Sequence, residues 1–210
     1  MKALSKNIQS SKKFLLMLGL SILSTLLVCI VSRNNSEGKP SPTTTAKPKK
    51  GILVVIGGNP SHAWGAKFMK TQIPNGIKNN YIILSRNWKV LNSIDKLKAD
   101  IKKIKRRTGL KKVYVIGFSK GGDAVFKLLQ SYKPTYVGLI DPAIPANWKK
   151  SSLNLKITMI WGSTSMVNEF ANRHQMLHNK IIANGGKSFR CVKNHFTAVK
   201  KYFKEYFRSQ

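Results

Sequence analysis

The chain contains very few acidic residues. Its 210 residues include 7 Asp and Glu against 38 Lys and Arg, which gives a formal net charge of +31. Such an excess favours anionic partners such as acidic lipid headgroups, phosphates or nucleic acid, although a lysine-biased surface explains the same composition without a partner. The shortage also restricts any site that needs a carboxylate to the following positions: Glu37, Asp95, Asp100, Asp123, Asp141, Glu169 and Glu205.

Cysteine is scarcer still, with two residues in the chain. Cys29 lies in an apolar stretch and Cys191 in a predicted strand, so they do not form the disulfide framework of a small secreted domain. His174 and His178 have the one-turn spacing of some metal ligands, but no acid cluster accompanies them. Surface or packing roles are favoured for both histidines, and we predict no metal and no cofactor.

Charge is absent from residues 14–32, a stretch long enough and apolar enough to cross a bilayer as a helix. Residues 1–13 before it are basic, and residues 33–50 after it are rich in Pro, Ser, Thr and Lys, as in a flexible linker. A cleaved signal peptide is the alternative, but the apolar core is long and the following residues form a poor cleavage site. We predict a single-pass membrane protein with a signal-anchor at 14–32. The sequence does not predict on which side of the membrane the domain lies.

Residues 51–210 alternate between short apolar runs and amphipathic helical stretches. The runs are continuous rather than alternating, as in strands buried on both faces of a parallel sheet. Helices are predicted at 94–107, closed by Gly109, and at 122–131, 169–183 and 196–207. The pattern predicts an α/β domain with a doubly wound, mostly parallel sheet flanked by helices. Its six predicted strands are 52–56, 81–84, 112–116, 135–140, 156–161 and 188–192.

The strongest motif is Gly-x-Ser-x-Gly, formed by Gly117, Ser119 and Gly121. It directly follows a predicted strand and directly precedes a predicted helix, which is the context of a nucleophile elbow. There the serine adopts a strained conformation that requires small neighbours, and the helix N-terminus lies beneath the site. An ordinary glycine-rich turn or a phosphate-binding loop is the alternative, but the Gly-Lys-Ser/Thr ending of a P-loop is absent.

With this motif, residues 51–210 resemble the α/β-hydrolase superfamily in a minimal form. The resemblance implies a nucleophile, an acid and a histidine in that order along the chain. Ser119 would be the nucleophile, and His195, which follows the last predicted strand, would be the general base. The acid is open between two residues. Asp141 ends a strand and is preferred, whereas Glu169 lies in a later loop where Ser165 stands at the position usual for the acid.

The resemblance also implies an oxyanion hole made of backbone amides. One amide would belong to Lys120, next after the nucleophile, and the second to Asn59 or, alternatively, Gly58. His62, Trp64 and Phe118 are candidates for the substrate pocket. Further apolar candidates for this pocket, each equally suited to the core, are Ala143, Ile144, Met166 and Phe196.

The sequence therefore predicts a membrane-anchored serine hydrolase of the esterase, lipase or thioesterase type. Its expected partners are an ester or lipid-like substrate, the membrane through residues 14–32 and an anionic surface or ligand; nucleic acid is disfavoured. Two other functions remain open. One is a binding module that keeps the fold without catalysis, and the other is a basic adaptor for anionic membranes or nucleic acid.

Overall fold

The domain is built on a parallel sheet of six strands in the order β2-β1-β3-β4-β5-β6. The computed structural model describes residues 47–59, 65–150, 153–162, 171–190 and 194–207. The strands are β1 Gly51–Ile56, β2 Tyr81–Arg86, β3 Val113–Phe118, β4 Tyr136–Ile140, β5 Ile157–Trp161 and β6 Lys187–Arg190.

Helices and short turns connect the strands. The α-helices are α1 Ala66–Gln72, α2 Asn75–Asn80, α3 Ile94–Thr108, α4 Lys120–Leu129, α5 Ala171–Ala183 and α6 His195–Lys201. The last helix continues as a wider π-helical turn over Tyr202–Tyr206. Single 3₁₀ segments occupy Trp88–Ser93 and Trp148–Lys150.

The side chains of β1 divide the interior into two cores, one on each face of the sheet. Ile52, Val54 and Ile56 pack with buried residues of α3, α4 and α5. Leu53 and Val55, which point the other way, pack with buried residues of α1, α2 and α6. Strands covered on both faces are predominantly apolar, and β1, β3, β4 and β5 are buried throughout.

The order of the strands reverses beside β1. From β1 the chain first adds β2 on one side and then crosses to add β3 on the other. In open α/β sheets such a switch point leaves a crevice at the carboxyl ends of the two central strands, where ligands bind. The residues that follow β1 and β3 therefore lie where a site is expected.

The six predicted strands and the doubly wound arrangement match the structure. Gly109 ends α3 in the left-handed conformation that favours glycine, with φ 69°. The elbow helix starts at Lys120, two residues before the predicted start, because it begins directly after Ser119. The short helices α1 and α2 were not predicted.

The predicted signal-anchor at 14–32 lies outside the described residues, as does most of the linker. Within the described part of the chain, no helix has the length and apolarity needed to cross a bilayer. The part from Lys47 onward forms one compact unit by its own contacts.

Candidate active site

Ser119 lies at a sharp turn between β3 and α4. Its backbone angles are φ 52° and ψ −127°, a combination that side-chain-bearing residues rarely adopt. The residue is half-buried. This is the strained strand-to-helix elbow that the Gly-x-Ser-x-Gly spacing predicts.

The glycines on either side of Ser119 are required by close packing. A Cβ atom on Gly117 would lie 2.6 Å from Cγ2 of Val125, and one on Gly121 would collide with the carbonyl oxygen of Ile56. The elbow helix therefore approaches β1 and β3 more closely than any larger residue would allow. The two glycines make the turn possible.

The backbone of Ser119 is hydrogen-bonded to the segment after β4. Its N–H donates to the Ile140 carbonyl at 3.0 Å, and its carbonyl accepts the N–H of Ala143 at 2.8 Å. The same carbonyl accepts the N–H of Gly122 at 2.8 Å. The elbow and the turn that begins at Asp141 thus share main-chain bonds.

Asp141 is buried at the carboxyl end of β4, with no exposed surface. Its φ of 44° lies in the left-handed region, so the carboxylate leaves the strand at an unusual angle. Oδ1 accepts the N–H of Gly162 at 3.1 Å, and Oδ2 lies 2.7 Å from Nδ1 of His195. The sequence left the acid open between Asp141 and Glu169; Asp141 contacts the histidine, and Glu169 lies outside the described residues.

His195 is the first residue of α6 and is 3% exposed. Asn194 caps the helix by accepting the N–H of Thr197 at 2.9 Å, which fixes where the helix begins. The imidazole packs on the ring of Phe118, the residue before Ser119, with 4.5 Å between ring centroids. Because Nδ1 faces Asp141, Nε2 is the nitrogen that can take a proton from a serine hydroxyl.

Gly58 faces the side chain of Ser119. A Cβ atom on Gly58 would lie 2.9 Å from Cβ of Ser119 and 3.3 Å from its Oγ. The loop after β1 therefore runs beside the hydroxyl, where one of the two expected oxyanion amides belongs. Asn59 is the next residue and is half-buried, while Lys120 begins α4.

The three residues predicted for the substrate pocket have different outcomes. His62 and Trp64 lie outside the described residues. Phe118 has no exposed surface, so its ring cannot line an open pocket. It packs against the imidazole of His195 instead. Two other rings lie nearby: Phe196 is 41% exposed beside His195 and packs edge-on against Phe68, with 5.3 Å between centroids.

Phe68 was missed by the sequence analysis because it lies on the unpredicted helix α1. Its ring is 5.9 Å from that of Phe118, so three phenylalanines run from beneath His195 to the surface. The only available signal was the Phe68-Met69 pair between lysines, which is too short to indicate a helix. Ile144, another pocket candidate, is a buried member of one of the two cores.

Two charged residues, Lys120 and Asp123, lie in the first turn of the elbow helix α4. The Lys120 ammonium lies 5.0 Å from the centre of the Trp88 ring, in a cation–π contact. Burial raises the pKa of the Asp123 carboxyl in the first turn of α4, and nearby Lys127 opposes that rise. No group of three or more His, Cys, Asp or Glu side chains that could hold a metal occurs among the described residues.

Of the two histidines on α5, His174 has a structural role in packing. His174 is buried, and its Nε2 lies 2.9 Å from the carbonyl oxygen of Pro142. A carbonyl can only accept, so Nε2 carries a proton and is not directed at a metal. His178 is half-buried one turn later.

Comparison with known proteins identifies the fold. No protein-family model matches the sequence, and no curated protein matches it. Solved structures do match. A protein of unknown function from Agrobacterium tumefaciens, attributed to the α/β hydrolases, superposes with a TM-score of 0.60 at 14% identity over 76% of this chain and 84% of that one.

Two further structures agree. An α/β serine hydrolase homologue from Coxiella burnetii gives a TM-score of 0.58 at 12% identity over 77% of this chain and 85% of that one. An uncharacterized protein from Bacillus cereus gives a TM-score of 0.58 at 14% identity. The match covers 77% of this chain but only 60% of the length of that protein. At these identities the likeness shows the fold alone, and it is the α/β-hydrolase fold.

Proposed function

We propose that this chain, which has the α/β-hydrolase fold, is a serine hydrolase that cleaves esters or thioesters through an acyl-enzyme on Ser119. The observation that carries the proposal is the 2.7 Å contact between Asp141 Oδ2 and His195 Nδ1. Asp141 is fully buried and His195 nearly so. A buried carboxylate that orients an imidazole, in a fold that also carries a strained serine at a strand-to-helix elbow, supports the activation of a hydroxyl nucleophile.

In the proposed reaction, the Ser119 hydroxyl attacks the carbonyl carbon and passes its proton to Nε2 of His195. The imidazolium is stabilised by Asp141 and returns the proton to the departing alcohol or thiol. Water then attacks the acyl-enzyme by the same route and releases the acid. The backbone amides of Lys120 and of Gly58 or Asn59 would stabilise the oxyanion in both halves.

The apolar surroundings favour a substrate with a hydrocarbon portion. Phe196 and Phe68 form an edge-on pair next to His195, and Phe196 is exposed to solvent. Aromatic surface of this kind binds acyl chains by removing apolar area from water. An ester or lipid-like substrate fits it better than a small polar one.

Labelling with a fluorophosphonate probe tests the proposal, since such probes react with activated serines. We expect an adduct on Ser119 and hydrolysis of p-nitrophenyl esters, with both lost in Ser119→Ala and retained in Ser131→Ala, which changes an exposed serine just after α4. A folded protein that gives neither adduct nor hydrolysis would leave the fold as a binding module. Nucleic-acid or vesicle binding that weakens steeply with salt would then favour the adaptor function.

We also propose that residues 14–32 anchor the chain in a membrane, with residues 33–50 as the linker to the domain at 51–210. The uncharged length of 14–32 and the basic segment at 1–13 support this proposal. The full chain should sediment with membranes after an alkaline wash and be released only by detergent, whereas Leu20→Arg/Leu26→Arg should remain in the wash. An intact mass that lacks the first residues would instead indicate a cleaved signal peptide.

A further inference from the structure

The turn that carries Asp141 is held from behind by α5. His174 Nε2 donates to the Pro142 carbonyl at 2.9 Å, and the next bond along the turn runs from Arg173 to the Ile144 carbonyl at 3.2 Å. His174 is 2% exposed, so this bond forms away from solvent. Hydrogen bonds in such surroundings are strong, and leaving the carbonyl unpaired there is costly.

This turn needs support because its geometry is strained. Asp141 has a positive φ, and the following Pro142 has no N–H with which to tie the turn to the sheet. The conformation persists only if surrounding contacts enforce it. The carbonyl of Pro142 is the turn's first acceptor after Asp141, and His174 is its partner.

His174 also supports the other side of the carboxylate. Its ring stacks on that of Trp161, with 6.0 Å between centroids and 5° between planes. Trp161 ends β5, and the next residue, Gly162, donates its N–H to Asp141 Oδ1. One buried ring therefore contacts both the turn that bears the carboxylate and the strand end that hydrogen-bonds it.

We infer that His174 is a positioning residue for the triad: it fixes the orientation of Asp141 and, through it, that of His195. As a positioning residue it would act through Asp141 rather than on the substrate. The inference rests on the proposed function for its kinetic consequences, but the Asp141–His195 contact that it protects can be observed without turnover.

Two substitutions separate the hydrogen bond from the packing. His174→Phe keeps an aromatic ring against Trp161 and removes the donor, whereas His174→Gln keeps an N–H at similar reach and removes the ring. For His174→Phe we expect kcat to fall about 10–100-fold with KM nearly unchanged, by analogy with the hydrogen-bond partners that orient metal ligands. His174→Gln should recover most of that loss.

His178→Phe is the matched control. His178 lies one turn further along α5, and its ring is 5.6 Å from that of Trp161. Its Nδ1 is buried without a hydrogen-bond partner among the described residues. The same substitution there removes no bond to the turn, so kcat should stay at the wild-type value.

Proton NMR provides a readout independent of catalysis. The Nδ1 proton shared between His195 and Asp141 should give a low-field resonance, assigned by its loss in Asp141→Asn. We expect the resonance in wild type, His174→Gln and His178→Phe, and its shift or loss in His174→Phe. If His174→Phe does not fold, His174→Met takes its place as a donor-free residue of similar bulk.

Wild-type kcat together with an unchanged resonance in the donor-free variant would overturn the inference. A KM effect without a kcat effect would do the same, since it would indicate a role in binding. If wild-type protein takes no fluorophosphonate label, the proposed function fails instead. The resonance in the donor-free variant then decides alone whether His174 positions Asp141.

Discussion

Gly58 lies so close to Ser119 that a methyl group in its place would come within 3.3 Å of the serine Oγ and 2.9 Å of its Cβ. Gly58→Ala should therefore push the serine side chain or the loop after β1 out of place. We expect kcat to fall about 100-fold, because displacements near 1 Å at a reacting group have effects of this size. Ester hydrolysis measures the fall in kcat, and urea denaturation shows whether the displaced loop also lowers the free energy of unfolding.

Gly76→Ala is the control for that substitution. Gly76 lies in α2, and no atom of the described residues that could clash lies within 4 Å of where its Cβ would be. The variant should keep full activity and gain about 0.4–1 kcal/mol in free energy of unfolding, since alanine restricts the unfolded chain. Equal activity of the two variants would show that the space beside Ser119 is not used in the reaction.

Asp141→Asn should inactivate the protein without unfolding it. The amide would leave His195 without the acceptor that selects its tautomer, and kcat is expected to fall by about 10⁴. Steady-state hydrolysis of a p-nitrophenyl ester checks this. Glu169→Gln and Glu205→Gln should both remain active; loss of activity in Glu169→Gln alone would transfer the role of the acid to Glu169.

Tyr202→Phe should destabilise the fold while leaving the site intact. The hydroxyls of Tyr136 and Tyr202 form a buried 2.6 Å hydrogen bond beneath the sheet, and the Tyr202 hydroxyl packs directly on Gly138. Removing one partner should lower the free energy of unfolding by about 1–2 kcal/mol. Urea denaturation measures the change, and Tyr136→Phe/Tyr202→Phe should lose less than twice that amount. A single variant as stable as wild type would contradict the prediction.

Alkaline pH should destabilise the domain through its buried tyrosines. Burial raises the pKa of Tyr81 to about 12, with a further contribution from Tyr114, and burial raises the pKa of Tyr202 well above its ordinary value. The folded state then keeps protons that the unfolded chain releases from about pH 10 upward, so the free energy of unfolding falls as the pH rises through this range.

Tyr81→Phe tests the pH dependence. Between about pH 10 and pH 12 its free energy of unfolding should fall less steeply than that of wild type, because one of the retained protons is gone. Urea denaturation at several pH values gives both slopes. Identical slopes would mean that Tyr81 ionises equally in the folded and unfolded chains.

Much of this fold is readable from the sequence because its strands are buried on both faces. A short, continuous apolar run such as β1 is most simply assigned to a buried strand. The glycine spacing around Ser119 fits few structures besides a strand-to-helix elbow. The helices α1 and α2 were missed since they span 7 and 6 residues, too few for a helical period to be evident.

The site was only partly predictable. Asp141 and His195 are 54 positions apart, and no local pattern indicates that they touch. Asp141 was therefore only the preferred candidate, with Glu169 as the alternative, and the contact became visible once the sheet brought the end of β4 and the start of α6 together. His174 is a similar case, because its spacing from His178 suits a metal and only packing reveals its carbonyl partner.

The main-chain bonds between Ser119 and the segment from Ile140 to Ala143 have a consequence for how the site can fail. These bonds join the backbone that carries the nucleophile Ser119 to the backbone that carries the acid Asp141. Warming therefore cannot separate the two residues without disrupting the central strands β3 and β4. His195 is carried by α6, a different element, whose buried Ala198 and Val199 pack in the core on one face of the sheet. Heat should abolish activity as soon as this packing loosens, even while the strands are still in place.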